Sequence, residues 1–253
     1  MNFKDHFSGH SAQYSAFRPK YPDSLFSCLS SLCEEHSLAW DCATGSGQAA
    51  TSLIEYFDKV FATDASANQI SNSAVAGGVS YKVAFAEKSG IPSNSVDLIT
   101  VAQALHWFDI PAFAVEADRV LKIDGVLAVW TYGLITFGKE LDEIINHLYA
   151  DIVGDYWPFD RKMVESGYSD VQFPLTEIPV TEMEMNESWK FSNLIGYLNT
   201  WSAVKAYEKE HSCNPLDIVH DGLLRQWGNT DNARIASWPL IVKAWRKPHM
   251  QSN

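Results

Sequence analysis

The chain has 253 residues, of which 46% are hydrophobic and 20% are charged, and its formal net charge is −12. These values indicate a soluble globular protein, with a single α/β domain as the starting expectation. The negative charge argues against a nucleic-acid substrate and against an anionic membrane surface, because both would be repelled.

Targeting segments and metal sites are not expected either. No apolar stretch approaches the roughly 20 residues of a membrane helix, and residues 1–10 mix charges without the apolar run of a signal peptide. The four cysteines form no Cys-x-x-Cys pair, and no cluster of His, Cys, Asp and Glu has the spacing of metal ligands. We therefore expect reduced thiols, no metal and a cytoplasmic location.

The first half of the chain alternates helical and strand-like segments. Leu25, Leu29 and Leu32 recur at helical spacing after a start at Pro22 or Asp23. Short apolar runs follow, separated by helical patterns; they span residues 38–42, 60–63, 79–84, 96–102 and 126–130. Apolar strands that alternate with helices are typical of βαβ units and a buried parallel sheet.

The second half is less regular. Residues 139–152 and 188–210 are predicted to be helical and are rich in aromatic side chains. Residues 237–242 are predicted to form a last strand, in which Pro239 should lie at an edge or before pairing begins. We interpret this half as the end of the same sheet with a helical insertion that carries substrate contacts.

A glycine-rich turn follows the first strand, in the segment 41–47 (Asp-Cys-Ala-Thr-Gly-Ser-Gly). Glycines between a strand and a helix allow a tight turn and the close approach of a nucleotide to the helix N-terminus. Residues 45–50 also satisfy the dinucleotide pattern Gly-x-Gly-x-x-Ala, and Asp64 ends the second strand, where a ribose ligand is expected. An NAD(P)-linked oxidoreductase is therefore one reading of this turn.

The charge of Asp41 favours a different ligand. A carboxylate directly before the turn would repel the pyrophosphate of NAD, whereas it would attract the cationic amino-acid end of S-adenosylmethionine. Asp41 for the amino-acid end and Asp64 for the ribose hydroxyls suit that cofactor. The structural alternative is that Asp41 only caps the loop or the helix after it. A side chain at Gly47 is expected to fill the methionine pocket.

The segment 41–47 resembles the first motif of the class I methyltransferases, usually Asp/Glu-x-Gly-x-Gly-x-Gly. Ala43 replaces the first glycine, which is tolerable where the backbone keeps φ below zero. The strand-two acid, the Ala-Glu pair after strand three and the strand-four segment 95–100 occur in the family's order. The resemblance implies cofactor contacts at Tyr14, Arg18, Asp41, Ala43, Thr44, Gly45, Gly47, Asp64, Ala65, Gln69, Ala86, Glu87, Gln103 and His106.

A narrower resemblance covers nearly the whole chain. Residues 7–22, 102–108, 196–204 and 238–240 are similar to segments of the subfamily that contains fungal trans-aconitate methyltransferase. It implies a Rossmann-like fold with a seven-stranded, mostly parallel sheet in a single domain, 1–253. That domain would comprise an N-terminal lid and helix (1–36), a cofactor-binding core (37–132) and substrate-side helices with the final strands (133–253).

The candidate residues for chemistry lie at the carboxyl edge of the sheet and in the proposed lid. His106, after the fourth strand, is the best candidate for a base or a substrate contact, and a packed histidine is the alternative. Arg18 is expected to pair with the cofactor's carboxylate or with an acidic substrate, although a surface ion pair is the alternative. Substrate-pocket contacts are expected from Tyr21, Trp107, Phe108 and Trp201, for which core packing is the alternative.

The sequence therefore predicts an S-adenosylmethionine-dependent methyltransferase that acts on a small molecule, with a carboxylate or hydroxyl oxygen favoured as acceptor. The alternatives are an NAD(P)-linked oxidoreductase and a protein that binds S-adenosylmethionine without catalysis. We expect a monomer or a homodimer without nucleic-acid or membrane partners.

Overall fold

The computed structural model describes residues 17–249, which form one mixed α/β sheet structure. The strands are β1 (Ala39–Cys42), β2 (Val60–Asp64), β3 (Val79–Val83), β4 (Val96–Ala102), β5 (Leu121–Tyr132), β6 (Thr176–Ile178), β7 (Met183–Trp189) and β8 (Arg234–Arg246). The α-helices are α1 (Asp23–Ser31), α2 (Gln48–Leu53), α3 (Ala67–Ser71), α4 (Ile110–Val120), α5 (Lys139–Asn146), α6 (Arg161–Glu165), α7 (Phe191–Asn199), α8 (Ser202–His211) and α9 (Leu216–Trp227). Shorter helical turns span Leu105–Trp107, His147–Ile152 and Gly154–Tyr156.

The strand order is β3-β2-β1-β4-β5-β8-β6, with β7 also paired to β8. The first five strands in this order run parallel, and β8 runs antiparallel to its neighbours. The predicted fold class, a mostly parallel Rossmann-like sheet, is confirmed. Residues 17–249 contain eight strands instead of the seven expected, because β6 and β7 pair with successive parts of the long strand β8 and share one position in the sheet.

The central strands lie between two helical layers, which explains their apolar composition. All four residues of β1 are buried, and so are Leu98, Ile99 and Val101 of β4. One apolar core lies between the sheet and the layer that contains α1 and α2, and the other lies on the α4 side. Parallel strands buried on both faces must be apolar on both, so their sequences do not alternate.

Helix boundaries follow local capping chemistry. Helix α1 begins at Asp23, as predicted. The side chain of Ser66 accepts a hydrogen bond from the Gln69 amide at the start of α3, and Asp109 caps α4 through the amide of Ala112. Such caps satisfy amides that have no partner within the helix.

The C-terminal half departs from prediction at two places. Residues 188–189 belong to β7, so the predicted helix begins only at Phe191 and is interrupted before α8. Strand β8 begins at Arg234, earlier than predicted, because β7 supplies partners for its first half. The prediction for Pro239 is therefore wrong: this residue lies inside β8, opposite Glu184 of β7, and not at an edge or before pairing begins. Only the pairing of β8 with β5 begins after it, at Leu240.

The described part of the predicted lid, residues 17–22, lies against the helical half and the glycine turn. The ring of Phe17 lies so close to Gly196 of α7 that a Cβ at this glycine would overlap it. The amide Nε2 of Gln48 donates to the carbonyl of Pro19 at 3.1 Å. Among residues 17–249, no helix is both long and apolar enough to cross a bilayer.

Candidate active site

The glycine turn joins β1 to α2 at the carboxyl edge of the sheet. Gly45 has φ of 56° and Gly47 has φ of 84°, in the left-handed region that favours glycine. The turn is fixed by backbone hydrogen bonds from Thr44 to Thr63 (2.9 Å) and from Gly47 to Thr44 (3.0 Å). A Cβ at Gly45 would point into open space, which leaves room for a ligand above the turn.

The structure gives a packing reason for glycine at position 47, and the expected filling of the methionine pocket by a side chain stays a prediction. A Cβ built there would overlap the hydroxyl of Tyr81 on β3, so the side chain would meet protein before it met a cofactor. That hydroxyl is itself buried and has no hydrogen-bond partner among residues 17–249. Packing against β3 therefore disfavours a side chain at position 47, in addition to the positive φ.

The backbone conformation of Ala43 differs from the one expected from the sequence. Its φ is 57°, in the left-handed region, whereas the sequence argument for an alanine assumed a negative φ. The Cβ of an L-residue is strained in this conformation by about 1 kcal/mol. Gln103, at the end of β4, has φ of 55°. Two neighbouring strands thus end in strained residues at the same edge, as is common at functional sites.

Asp41 is buried beneath the turn, with 1% of its surface exposed. Its carboxylate accepts hydrogen bonds from Thr44 Oγ1 (2.5 Å), Thr100 Oγ1 (2.8 Å) and the backbone of Ala50. Burial raises its pKa to about 6 although these bonds lower it, and the charge of Asp64 raises it further. In this position Asp41 braces the loop, as in the structural alternative; direct contact with a cofactor stays a prediction.

Asp64 connects the end of β2 to the turn. Its carboxylate accepts from the Gly45 amide (3.0 Å) and from the Ser66 amide (2.8 Å). Ala65 lies between these contacts and Gln69 lies in the helix that follows. These three residues are close to the turn in the chain fold, and their cofactor contacts stay predictions.

The segment after β3 is tied to the start of α4. Ala86 is buried in the core on that side, and Glu87 accepts a hydrogen bond from the Asp109 amide at 2.9 Å. The Glu87 carboxylate thus links the segment after β3 to the start of α4.

Gln103, at the end of β4, is anchored by one hydrogen bond, because its Oε1 accepts from Thr131 Oγ1 at 2.9 Å. The amide nitrogen of Gln103 has no partner among the described residues.

Arg18 is brought to the carboxyl edge of β5, although it precedes that strand by more than 100 residues. Its Nη1 donates to the hydroxyl of Tyr132 at 2.9 Å, and its guanidinium lies 5.6 Å from the ring centroid of Tyr197. Burial raises the pKa of Tyr197 to about 12, with Tyr132 raising and Arg18 lowering it. The surface ion-pair alternative does not describe this contact. Tyr14 lies outside the described residues.

Tyr21 packs edge-on against Trp130, with ring centroids 5.4 Å apart, and also against Phe26. These contacts correspond to the core-packing alternative for Tyr21.

His106 lies in the turn Leu105–Trp107 after β4. Its Nδ1 is 3.2 Å from the hydroxyl of Tyr168, a buried residue. Burial and the nearby charge of Arg161 lower the pKa of His106 to about 4. The imidazole is therefore neutral at physiological pH, and burial raises the pKa of the tyrosine hydroxyl beside it.

The two aromatic residues after His106 separate in the structure. Trp107 is 40% exposed, and its ring centroid lies 4.6 Å from that of His106. Phe108 instead packs edge-on against Phe113 of α4 at 5.0 Å, inside the core. Trp107 is thus placed to meet a ligand beside His106, whereas Phe108 follows the core-packing alternative.

The helical half contributes a continuous set of rings, which we call the aromatic row: Tyr197, Trp201, Tyr149 and Trp157. Trp201 is 4% exposed and contacts the other three rings at centroid distances from 5.6 to 6.0 Å. Arg161 was missed by the sequence analysis. Its guanidinium lies 4.5 Å from the Trp157 ring, and no motif singles out an arginine in this irregular segment.

The geometry of the glycine turn and its two acids indicates the class of cofactor that this site can hold. The open space above Gly45, the positive-φ turn and the two acids Asp41 and Asp64 suit a nucleoside cofactor that carries positive charge. Within residues 17–249, no group of His, Cys, Asp and Glu residues is arranged to hold a metal ion. The fold and the site thus define a Rossmann-like enzyme of the methyltransferase class.

Comparisons with known proteins agree with that class. Residues 40–129 match the model of a methyltransferase domain family. The chain is 37% identical over 233 residues to a putative methyltransferase of Dictyostelium discoideum, covering 90% of this chain and 89% of that protein. It is similar, with a TM-score of 0.88 and 38% identity, to a solved putative type II methyltransferase from Anaeromyxobacter dehalogenans, covering 92% of this chain and 99% of the other.

A more distant relative is a probable S-adenosylmethionine-dependent methyltransferase of Saccharomyces cerevisiae, 29% identical over 173 residues, 62% of this chain and 59% of that protein. The chain belongs to the class I S-adenosylmethionine-dependent methyltransferases, and S-adenosylmethionine is its cofactor. The NAD(P)-linked reading of the glycine turn is therefore set aside. Membership of the trans-aconitate subfamily stays a prediction.

Proposed function

We propose that this methyltransferase transfers the methyl group to an oxygen of a small-molecule acceptor, with a carboxylate favoured over a hydroxyl. The observation that carries the proposal is the neutral His106 at the carboxyl edge of β4, held by Tyr168 and bordered by Trp107. A hydroxyl nucleophile needs a base whose pKa is near the working pH. An imidazole with a pKa of about 4 is a weak base, whereas a carboxylate acceptor needs none.

The chain's residues serve alignment and exclusion of water. S-adenosylmethionine supplies a methyl group on a sulfonium: the new carbon–oxygen bond forms as the carbon–sulfur bond breaks, and the electron pair stays on sulfur. The Gly45 turn, with Asp41 and Asp64 beside it, would hold the cofactor next to the His106 turn. The aromatic row would exclude water from the acceptor, which strengthens electrostatic contacts in the pocket.

The wider assignments are part of the same proposal. We propose a single domain over residues 1–253, in which 1–36 form a lid and first helix, 37–132 the cofactor-binding core and 133–253 the substrate side. The contact of Lys20 with Glu187 of β7 supports packing of the lid segment on the substrate side, since the Lys20 amide donates to that carboxylate at 2.5 Å. The four free cysteines are compatible with the cytoplasmic location that we also propose.

Transfer of a labelled methyl group to matched carboxylic acids, phenols and amines tests the acceptor class. A methyl ester releases labelled methanol in mild base, whereas ethers and methylated amines retain the label. We expect base-labile product and little effect of His106→Ala on its formation, because a carboxylate needs no base. If the acceptor is a hydroxyl, His106→Ala should slow transfer by about 100-fold. Label found only in amines would contradict the proposal.

A further inference from the structure

The guanidinium of Arg161, in the substrate-side half, has no carboxylate partner among the described residues. Among residues 17–249, the cations of the ion pairs are lysines, histidines and one arginine, Arg119, and none of the pairs includes Arg161. The nearest acid in its helix, Glu165, accepts instead from the hydroxyl of Tyr149. A half-buried cation is normally paired, because burial without a counter-charge is costly.

The guanidinium is nevertheless held in a defined position. Its Nε donates to Tyr149 Oη at 3.2 Å, and its carbon lies 4.5 Å from the Trp157 ring centroid and 5.6 Å from that of Tyr149. Stacking and the single Nε bond leave the two terminal nitrogens without hydrogen-bond partners among the described residues. These nitrogens are the paired donors that bind a planar carboxylate in a bidentate way.

The position of Arg161 relates it to the candidate reaction centre. Helix α6, which it begins, packs against the turn that carries His106. Tyr168, which follows α6, contacts His106 directly at 3.2 Å. The charge of Arg161 lowers the pKa of both His106 and Tyr168. Burial has the larger effect on each, lowering the pKa of His106 and raising that of Tyr168.

The aromatic row lies between Arg161 and a second cation, Arg18. Arg18 lies over Tyr197 at one end, and Arg161 lies over Trp157 at the other. Neighbouring rings between them are separated by 6.0 Å for Tyr197 and Trp201 and by 5.6 Å for Trp201 and Trp157. A guanidinium at each end of an apolar wall suits an acceptor with an apolar body and an acidic group.

We propose that Arg161 binds a carboxylate group of the methyl acceptor and thereby selects acidic acceptors. This inference rests on the proposed transfer to a small-molecule oxygen acceptor and names the residue that recognises the acceptor's charge. Arg161 acts as a binding residue, while His106 and Trp107 lie beside the reacting atoms.

A binding experiment tests the assignment without turnover. Benzoate is titrated by calorimetry into the protein saturated with S-adenosylhomocysteine, with inorganic phosphate as a second probe. Benzoate should bind the wild type, and Arg161→Gln should weaken its binding about 10- to 100-fold, the loss expected for a charge-assisted hydrogen-bonded pair. Arg161→Lys should retain part of the affinity. Lys162→Gln, which removes the adjacent cation over the exposed Phe159 ring, should retain all of it.

Two further readouts separate a binding role from a structural one. The pKa of His106, followed by NMR, should rise from about 4 towards its ordinary value in Arg161→Gln, and should rise in the wild type when benzoate binds. With an acceptor that carries a second carboxylate, Arg161→Gln should raise KM with little change in kcat. The same acceptor with that second carboxylate converted to a neutral amide should show no such change.

Equal benzoate affinity in the wild type and Arg161→Gln would overturn the assignment, as would binding of phosphate alone. No benzoate binding to the wild type would overturn it as well. Failure of the broader proposal looks different: benzoate binding would still depend on Arg161, but the labelled methyl group would appear on nitrogen or carbon.

Discussion

Gly47 and Tyr81 are in direct contact across the turn between β1 and α2, and a Cβ at position 47 would overlap the tyrosine hydroxyl. The two residues lie 34 positions apart, and only the parallel pairing of β1, β2 and β3 brings them together. The glycine of this motif is therefore explained by the neighbouring strand as well as by its positive φ.

The first prediction follows from this contact. Gly47→Ala should impair S-adenosylhomocysteine binding and stability more than Gly45→Ala. Both substitutions place a Cβ on a residue with positive φ, but only the Cβ at position 47 overlaps Tyr81. Each should lose about 1 kcal/mol from backbone strain alone. The measurements are urea unfolding and calorimetric titration. Tyr81→Phe should partly rescue Gly47→Ala, and a double-mutant cycle without coupling would show that the overlap is unimportant.

The second prediction concerns Ala43, whose φ is 57°. Ala43→Gly should leave the free energy of unfolding unchanged or raise it by up to about 1 kcal/mol, because relief of strain offsets the greater freedom of glycine in the unfolded chain. The control is Ala49→Gly in α2, which should lower it by about 1 kcal/mol or more. Equal losses for both variants in urea unfolding would show that position 43 is not strained.

The third prediction concerns pH. The folded-state pKa of Asp41 is raised from 3.8 to about 6, so its contribution to stability is fully present below pH 3.8 and is lost as pH rises through 6. Asp41→Asn should therefore gain in stability relative to the wild type, on the order of 2–3 kcal/mol, between the two pH values. Urea unfolding across this range measures the difference.

Asp97 provides a control of opposite sign for that experiment. Burial raises its pKa, but hydrogen bonds from Lys122 and Ser37 outweigh burial and lower it overall. The contribution of Asp97 to stability is present above its unfolded-state pKa and is lost as pH falls through its folded-state pKa. Asp97→Asn should therefore lower the free energy of unfolding more at neutral pH than in acid. The same pH trend for both variants would contradict the assignment for Asp41.

The fourth prediction concerns His106 in catalysis. With a pKa of about 4, the imidazole stays neutral from pH 5 to pH 8, so kcat/KM for methyl transfer should show no inflection from His106 in that range. Wild type and His106→Gln should have pH profiles of the same shape. An inflection near pH 6.5 that disappears in His106→Gln would instead identify a general base. Tyr168→Phe, which removes the hydroxyl next to Nδ1, is the matched control.

Much of the fold could be predicted because it depends on local patterns. The apolar runs of β1, β2, β4 and β5 depend on residue types within a few positions of the chain. The start of β7 and the break between α7 and α8 were missed. Residues 188–189 become strand only because β8 supplies their hydrogen-bond partners, and those partners lie more than 40 positions away.

The sequence by itself determined the order of the elements, the glycine turn with its two acids and the family of the protein, because these depend on residue types at short spacing. Only the tertiary structure decided what each side chain contacts. It turned Asp41 inward to Thr44 and Thr100, placed Arg18 against Tyr132, and brought the unpaired Arg161 next to the His106 turn. Burial and charge at such long-range contacts set the pKa of His106, and a linear sequence does not show them.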